Sequence, residues 1–334
     1  MGSAAFQGRN TTRNGEFANT MLRICFLALI ASLAVAADAD FNGRWLLEPT
    51  SDGPGRVGWL EIEGAGRGAV TGSAVGLQQG GQVDPIAGAE VSGGELRFRV
   101  DRPRSKKDPT LTLSSTTVAK LSGGELHGTT TQKGKEMHWV GHRAPEIDDA
   151  DDGSWRAGKP VILFDGRSLD SWSTLHPERN GEWIVVDGKL INNKGADELV
   201  SKQKFWNFRL HVEYAVMPHS NSGIGLRGRY EIQIYDDYGE EPSKSGNGAL
   251  YSRKAADVNA SMAANQRQTL DVTLIGRELT AVLNGQTIHD HVDVHGLTAM
   301  ATDWHEDQPG PITLQGDHGS VEFYKIVVTP LERK

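Results

Sequence analysis

One segment of the sequence, residues 221–237, concentrates side chains that could bind and transform a sugar. Four polar residues within it are spaced two apart, namely Arg227, Arg229, Glu231 and Gln233. On a β-strand such residues share one face, so a strand that begins at Arg227 would present guanidinium, carboxylate and amide groups in one line. Such a line of groups can hydrogen-bond to sugar hydroxyls. An exposed outer strand would show a similar pattern, and that alternative stays open.

The same segment resembles the E-x-D-x-x-E pattern of jelly-roll glucanases through Glu231, Gln233 and Asp236. In those enzymes a bulged strand brings two carboxylates to one face, about 5.5 Å apart, as nucleophile and acid. Here Gln replaces the central Asp, and Asp replaces the last Glu. Both departures count against ordinary glycoside hydrolysis, and they leave Asp236 as a candidate for binding the substrate.

A second polar cluster near the C-terminus contains Gln315, Asp317 and His318. Gln315 and Asp317 share strand parity, and a kink at Gly316 could turn His318 to the same side. An Asp-His pair at a strand end could hold a general base or a ligand of a divalent cation. A polar turn capped by Asp317 is the alternative.

The second half of the chain shows the alternation that strands need to position these side chains. Residues 209–216 and 270–274 alternate between apolar and polar types. Asn284-Gly285 and Asp187-Gly188 predict tight hairpins, because both turn positions tolerate positive φ. Residues 155–334 are therefore predicted to form a two-sheet jelly-roll sandwich, in which one sheet is concave and could hold an extended ligand.

The first half of the chain also reads as short strands. Residues 91–96 and 121–126 repeat the pattern x-Ser-Gly-Gly-Glu-Leu, which is typical of a hairpin turn. We predict a small antiparallel β-barrel or sandwich over residues 38–143, joined to the jelly roll by an acidic, solvated linker at 144–154. No residue pattern in this first domain carries chemistry, so a folding partner and a ligand-binding accessory both remain open.

Composition narrows the function classes further. The 334-residue chain has a formal net charge of −8, so it lacks the excess of positive charge that binding nucleic acid requires. Residues 21–36 combine a basic start, an apolar run and an Ala-x-Ala site, which predicts a signal peptide too short to span a membrane. Residues 1–20 are then an over-extended start. Export to a bacterial periplasm or out of the cell fits the mature chain, which lacks cysteine because Cys25 lies in the signal.

The second predicted domain resembles the 3-keto-disaccharide hydrolase family over residues 160–331, and the first domain lies outside the resemblance. The matching segments include LFDGRSLDSW at 163–172, NSGI at 221–224, RYEIQ at 229–233, GALY at 248–251 and PITLQGDHG at 311–319. Two positions depart from the family pattern. Arg267 stands where a Trp is usual, and segment 315–319 is one residue longer than usual.

The resemblance implies a concanavalin-like jelly roll that cleaves 3-keto-glycosides by a lyase and hydratase route. A C3 ketone acidifies the C2 proton, so a base can form an enolate that expels the C1 aglycone, and water then adds to the resulting 3-keto-glucal. Glu231 or His318 would be the base. Arg227, Arg229 or a bound divalent cation would stabilise the enolate.

The site predicted on this basis has a catalytic part and a binding part. The catalytic residues are Glu231, His318 and Arg229, and the substrate-binding residues are Asn221, Arg227, Gln233, Asp236, Gln315 and Asp317. The metal, if one is used, is not identified by the sequence.

Two other functions fit the same residues. A carbohydrate-binding module without catalysis could use the polar line together with an aromatic rim of Trp172, Trp183 and Trp206. A glucanase-like hydrolase could use the carboxylates. Turnover of a substrate separates the first alternative from the lyase, and the oxidation state of the substrate separates the second.

Overall fold

The computed structural model describes Gly2 and residues 38–50, 57–77, 81–103, 111–178, 182–192, 195–316 and 318–334. The predicted start segment apart from Gly2, the predicted signal peptide with Cys25, and Asp317 lie outside the described residues. Every element assigned within those ranges is a β-strand, which confirms the predicted all-β class. No helix there has the length and the apolar run that crossing a bilayer requires.

Nine strands make up the first unit. They are β1 (Gly43–Pro49), β2 (Gly58–Glu63), β3 (Thr71–Val75), β4 (Asp84–Pro85), β5 (Ala87–Ser92), β6 (Glu95–Pro103), β7 (Thr112–Ser122), β8 (Glu125–Gln132) and β9 (Lys135–Arg143). They form one antiparallel sheet in the order β4-β3-β2-β1-β9-β8-β7-β6-β5. Arg102 on β6 donates from Nε to Asp84 Oδ1 on β4 at 2.9 Å, although these strands lie near opposite ends of the order. The sheet therefore curves into an open barrel.

Fourteen strands make up the second unit. They are β10 (Trp155–Ala157), β11 (Val161–Phe164), β12 (Trp172–Thr174), β13 (Trp183–Val186), β14 (Lys189–Asn192), β15 (Leu199–Phe205), β16 (Phe208–Val216), β17 (Asn221–Leu226), β18 (Tyr230–Tyr235), β19 (Gln268–Ile275), β20 (Glu278–Leu283), β21 (Gln286–Asp293), β22 (Gly310–Leu314) and β23 (Val321–Arg333). One sheet runs β13-β14-β23-β16-β19-β20-β21, with β10 and β11 also paired to β23, and the other runs β12-β15-β22-β17-β18. These two sheets pack as the predicted jelly-roll sandwich.

The four hairpin predictions are confirmed by the backbone. Asn284 and Gly285 have φ of 52° and 80° between β20 and β21, and Asp187 and Gly188 have φ of 50° and 75° between β13 and β14. The two repeated Gly-Gly pairs, at 93–94 and 123–124, also have positive φ and join β5 to β6 and β7 to β8. Each turn uses residues that tolerate the left-handed region.

The first unit divides its apolar residues between two cores. Trp45 and Leu47 pack inside that unit, whereas Leu46, Val57, Trp59 and Val75 belong to the same buried cluster as the core of the second unit. Since neighbouring residues of a strand face opposite ways, one face of β1 and β2 closes the first unit and the other packs against the second.

Most acidic residues of the linker are exposed, and one of them contacts the second unit. Residues 144–154 carry no strand, yet Asp149 Oδ2 accepts hydrogen bonds from Trp206 Nε1 at 2.8 Å and from Asn207 Nδ2 at 2.9 Å. Two hydrogen bonds to the Asp149 carboxylate thus hold the linker against the second unit.

Candidate active site

The outer face of the five-stranded sheet carries Glu231 and Gln233. Both lie on β18, where Tyr230, Ile232 and Ile234 point the other way into the core of the sandwich. The parity predicted for Glu231 and Gln233 is therefore right. Glu231 is 3% exposed and Gln233 4% exposed, because other parts of the chain cover this face.

Two glycines on the neighbouring strand make the floor of this face. β17 pairs Gly225 with Glu231 and Gly223 with Gln233. A Cβ added to Gly223 would lie 2.3 Å from Glu231 Oε1, and one added to Gly225 would lie 2.1 Å from Thr313 Oγ1. The absence of a side chain at these two positions gives the Glu231 carboxylate and the Thr313 hydroxyl their space.

Thr313 and Gln315 continue the polar face across β22. Thr313 pairs with Gly225, and the backbone N–H of Gln315 donates to the Gly223 carbonyl at 2.9 Å. Thr313 Oγ1 is fully buried and has no hydrogen-bond partner among the described residues. A buried hydroxyl without a partner is costly, so this atom is suited to a ligand oxygen.

A second carboxylate reaches the same face from β15. That strand pairs Leu199 with Leu314 and Val200 with Thr313, which places Glu198 opposite Gln315 at the strand ends. Glu198 is 6% exposed. From the sequence, Glu198 is assigned no role, because only the pairing of β15 with β22 brings it to this face.

Tyr251 flanks Glu231 on the other side. Leu250 forms a bridge with Ile232, and the Tyr251 N–H donates to the Glu231 carbonyl at 3.0 Å. Directly paired residues share a face, so the phenol and the carboxylate are neighbours. Burial raises the pKa of Tyr251, the charge of Glu231 raises it further, and Arg102 of the first unit opposes the rise. The phenol is therefore protonated at neutral pH and can donate its proton.

The Gln233 amide orients Glu231. In one amide orientation, both the oxygen and the nitrogen of Gln233 have suitable hydrogen-bond partners. In it, the nitrogen donates to Glu231 Oε1 at 3.1 Å and to the Ser222 carbonyl at 2.9 Å. The predicted ligand-binding amide is thus at least in part a positioning group for the carboxylate.

The predicted strand start is wrong for Arg227. Residues 227–229 form the hairpin turn between β17 and β18, and Arg227 has a φ of 53°. Its guanidinium donates from Nε to the Trp206 carbonyl at 2.7 Å and lies 3.9 Å from the Trp206 ring centroid. Burial lowers the pKa of Arg227 to about 10. Arg227 is fully buried in this structural role, away from the face that holds Glu231.

Arg229 is likewise in the turn. It donates from Nε and Nη2 to Asp303 Oδ1 at 2.9 and 2.6 Å, and from Nη1 to the Gln308 carbonyl at 2.8 Å. These partners belong to the loop between β21 and β22. The prediction that two guanidiniums line up with Glu231 is therefore wrong, because the chain turns before the strand begins.

The remaining predicted site residues lie at the ends of these strands. Asn221 opens β17 and pairs with Tyr235. Asp236 follows β18 and accepts a hydrogen bond from the His219 N–H at 2.8 Å, so it caps a turn rather than sharing the face of Glu231. His318 is exposed beyond Gln315, and its neighbour Asp317 lies outside the described residues.

The described donors do not fit a metal site by themselves. In the ranges given above, no three His, Cys, Asp or Glu side chains are grouped so that they could hold a metal ion. A divalent cation stays a prediction, and the chemistry proposed below is assigned to side chains of this chain only.

The fold and the site define a class of protein. A jelly-roll sandwich that presents carboxylates, amides and a hydroxyl on one sheet face is suited to sugars. A family sequence model, described as a 3-keto-alpha-glucoside-1,2-lyase-like domain, matches residues 159–329, just over half of the chain. The chain belongs to this family and is a carbohydrate-active protein.

Several solved structures are similar to the chain. A protein from Parabacteroides distasonis, provisionally assigned as a glycosyl hydrolase, has a TM-score of 0.43 and 23% identity over 55% of this chain and 94% of that one. Another from the same organism has a TM-score of 0.41 and 22% identity over 52% and 100%. The carbohydrate-binding module CBM66 of Bacillus subtilis has a TM-score of 0.33 and 14% identity over 48% and 95%. No curated relative matches the chain.

Proposed function

We propose that the chain cleaves 3-keto-glycosides by removing the C2 proton, expelling the C1 aglycone and hydrating the product. The observation that carries this proposal is the juxtaposition of Glu231 and Tyr251 on one sheet face, over a floor that Gly223 and Gly225 leave open. The reaction needs a base and an acid close together, and these two residues supply the pair.

Glu231 is the base in this proposal. Its carboxylate takes the C2 proton, and the electrons of the C2–H bond form an enolate with the C3 ketone. The enolate re-forms the ketone as the C1–O bond breaks, which leaves a C1=C2 double bond. Gln233 holds the carboxylate by donating to Oε1 at 3.1 Å. His318 remains the other candidate for this role.

Tyr251 is the acid. Its raised pKa keeps the phenol protonated, so it can give a proton to the departing aglycone oxygen. In the hydration step, water adds its hydroxyl to C1 and gives its proton to the Tyr251 phenolate. The Glu231 acid returns a proton to C2. Both residues are then in their starting states, and one water has been consumed.

Thr313 and Gln315 bind sugar oxygens. The buried Thr313 hydroxyl has no hydrogen-bond partner among the described residues, and Gln315 is 8% exposed beside it. Since the guanidiniums of Arg227 and Arg229 are hydrogen-bonded to other parts of the chain, we assign stabilisation of the enolate oxygen to these neutral donors. Asn221 shares one side of β17 with Gly223, at the start of the strand, and would contact one end of the substrate there.

The binding-module alternative loses its predicted aromatic rim. Trp172 and Trp183 are buried and donate from Nε1 to the Leu163 and Asp197 carbonyls at 2.8 and 2.7 Å. Trp206 lies under the Arg227 guanidinium. The glucanase alternative loses a carboxylate, because Asp236 caps a turn. Export to the periplasm or medium, predicted from residues 21–36, would place the enzyme outside the cytoplasm.

The test is turnover of a 3-keto-glucoside compared with its unoxidised parent, with and without EDTA. Release of aglycone from the keto sugar alone supports the proposal, and loss of that release with EDTA would assign a metal to the site. Release from the parent sugar would favour the glucanase. Binding of both sugars without turnover would favour the binding module.

A further inference from the structure

Residues 294–309 join β21 to β22 and lie over the candidate site; we name them the covering loop. Within it, Thr298 Oγ1 accepts a hydrogen bond from the Glu231 N–H at 3.0 Å and donates to the Arg229 carbonyl at 3.2 Å. Met300 lies against the glycine floor, with its Sδ 3.4 Å from where a Cβ on Gly225 would be. The covering loop therefore touches both the backbone of Glu231 and the floor beneath the substrate.

The first unit holds one end of the covering loop through Trp59. This side chain is 1% exposed, and a Cβ added to Gly296 would lie 2.3 Å from its Nε1. Arg253 stacks on the same indole with its guanidinium carbon 4.4 Å from the ring centroid, and its Nε donates to the Leu297 carbonyl at 2.9 Å. Gly296, which Trp59 contacts, is one residue before Leu297 and two before Thr298.

The first unit also contacts the middle and the far end of the covering loop. A Cβ on Gly81 would lie 2.5 Å from the Ala299 Cβ and 3.2 Å from Tyr251 Cε1. The His142 ring stacks on the Trp304 ring with centroids 3.9 Å apart and an interplanar angle of 13°. Contacts from the first unit therefore reach the loop at Gly296, Ala299 and Trp304.

We infer that the first unit contributes to the site by holding the covering loop in place. Trp59 is a positioning residue that acts through this loop on Glu231. A long connection without strands is ordinarily among the most mobile parts of a fold. Here it is clamped between two surfaces, one of which is the first unit. The inference rests on the proposed function for its kinetic test, although the contacts themselves do not depend on it.

Trp45 is the matched control for Trp59. Both are fully buried tryptophans on adjacent strands of the first unit, but Trp45 packs in the unit's own core, and its Nε1 donates to the Phe41 carbonyl at 3.0 Å. Trp59 Nε1 has no hydrogen-bond partner among the described residues, so Trp59→Phe removes ring volume without breaking a hydrogen bond. A purely structural role predicts similar consequences for the two substitutions.

The experiment compares Trp59→Phe and Trp45→Phe in the full chain, by kcat, KM, Tm and amide hydrogen exchange. We expect Trp59→Phe to lower kcat by about tenfold or more with little change in KM, because small displacements of a catalytic group have effects of this size. It should also speed exchange at the Glu231 amide and at residues 298–302. Trp45→Phe should lower Tm while leaving kcat and exchange in the covering loop near wild type.

A second variant approaches the same contact from the loop. Gly296→Ala should displace the covering loop, and its effect on kcat should be non-additive with that of Trp59→Phe, since the two residues touch. Equal losses of kcat in both tryptophan variants, or unchanged exchange at Glu231 in Trp59→Phe, would overturn the inference. Absence of turnover in the wild type would instead refute the proposed function, and the exchange measurements would still decide the role of Trp59.

Discussion

The carboxylate of Glu231 lies over Gly223 of the neighbouring strand, so closely that a Cβ on Gly223 would come within 2.3 Å of Oε1. The two residues are not direct partners, since Gly223 pairs with Gln233 and Gly225 with Glu231. The Glu231 side chain therefore leans diagonally across the sheet, and the glycine is what allows that direction. The position of the proposed base is set by a residue that contributes no side chain.

Gly223→Ala tests this relationship. Because the colliding atoms belong to the end of a flexible side chain, we expect the fold to survive with a loss of about 1–3 kcal/mol, while the carboxylate moves and kcat falls about tenfold or more. Gly158→Ala is the control. Its Cβ would approach Glu332 and Pro330 no closer than 3.3 Å, and Gly158 follows β10, which belongs to the other sheet. An unchanged kcat in Gly223→Ala would show that the base lies elsewhere.

Glu231→Gln tests the base directly. The amide preserves the size of the side chain and removes its capacity to take a proton, so kcat should fall by about a hundredfold or more while the Kd for the keto sugar changes little. Glu198→Gln makes the same change in the other carboxylate of this face. If Glu198→Gln abolishes turnover and Glu231→Gln does not, the base has been assigned to the wrong residue.

The alternation of residues predicted the face of Glu231 and Gln233 but failed at the arginines for a specific reason. The turn between β17 and β18 has three residues, so parity continues through it and Arg227 and Arg229 keep the spacing of a strand. Gly228, which has a φ of 63°, was the signal that a three-residue hairpin was present. Sequence spacing alone cannot separate such a turn from a longer strand.

Tyr251 and Trp59 could not have been found by spacing at all. Tyr251 meets Glu231 because the segment after residue 248 pairs with β18, and Trp59 meets Gly296 because a face of the first unit packs against the second. Both contacts depend on tertiary packing between distant parts of the chain. The four hairpins at 93–94, 123–124, 187–188 and 284–285, in contrast, depend on adjacent residues, and these were predicted.

Thr313→Val removes the buried hydroxyl that has no partner among the described residues. The two side chains have nearly the same shape, so the free energy of unfolding should stay equal or rise slightly, whereas KM for the keto sugar should rise several-fold. Thr117→Val is the matched control, because Thr117 Oγ1 lies 2.9 Å from Thr130 Oγ1 in the first unit. That variant should lose about 1 kcal/mol of stability with no change in KM. A loss of stability without a change in KM in Thr313→Val would remove Thr313 from the binding site.

The proposed acid Tyr251 gives a prediction for leaving groups, and its neighbour Arg102 gives one for the pH profile. Tyr251→Phe should slow release of poor leaving groups strongly, and release of a nitrophenol much less, because a nitrophenolate needs little protonation. Arg102 lowers the pKa of Tyr251, so Arg102→Ala should move the alkaline limb of kcat/KM to higher pH. A limb that stays in place, or moves to lower pH, would show that the limb does not report Tyr251.

Glu306, in the covering loop, gives a prediction about the pH dependence of stability. It is 1% exposed and accepts a hydrogen bond from the Tyr230 hydroxyl at 2.9 Å, and burial raises its pKa above the usual 4.5. A carboxyl with a raised pKa in the folded state favours folding at low pH, and its contribution is lost as the pH rises from 4.5 through the folded pKa. Glu306→Gln keeps the acceptor for Tyr230 but cannot ionise. The variant should therefore have the higher Tm at pH 8, by about 2–4 °C for each kcal/mol of the ionisation cost, and the difference should vanish below pH 4.5. The charges of Arg44, Arg229 and Arg253 oppose the rise in the pKa of Glu306, and a lower Tm at pH 8 would mean that they stabilise the charged form more than burial disfavours it.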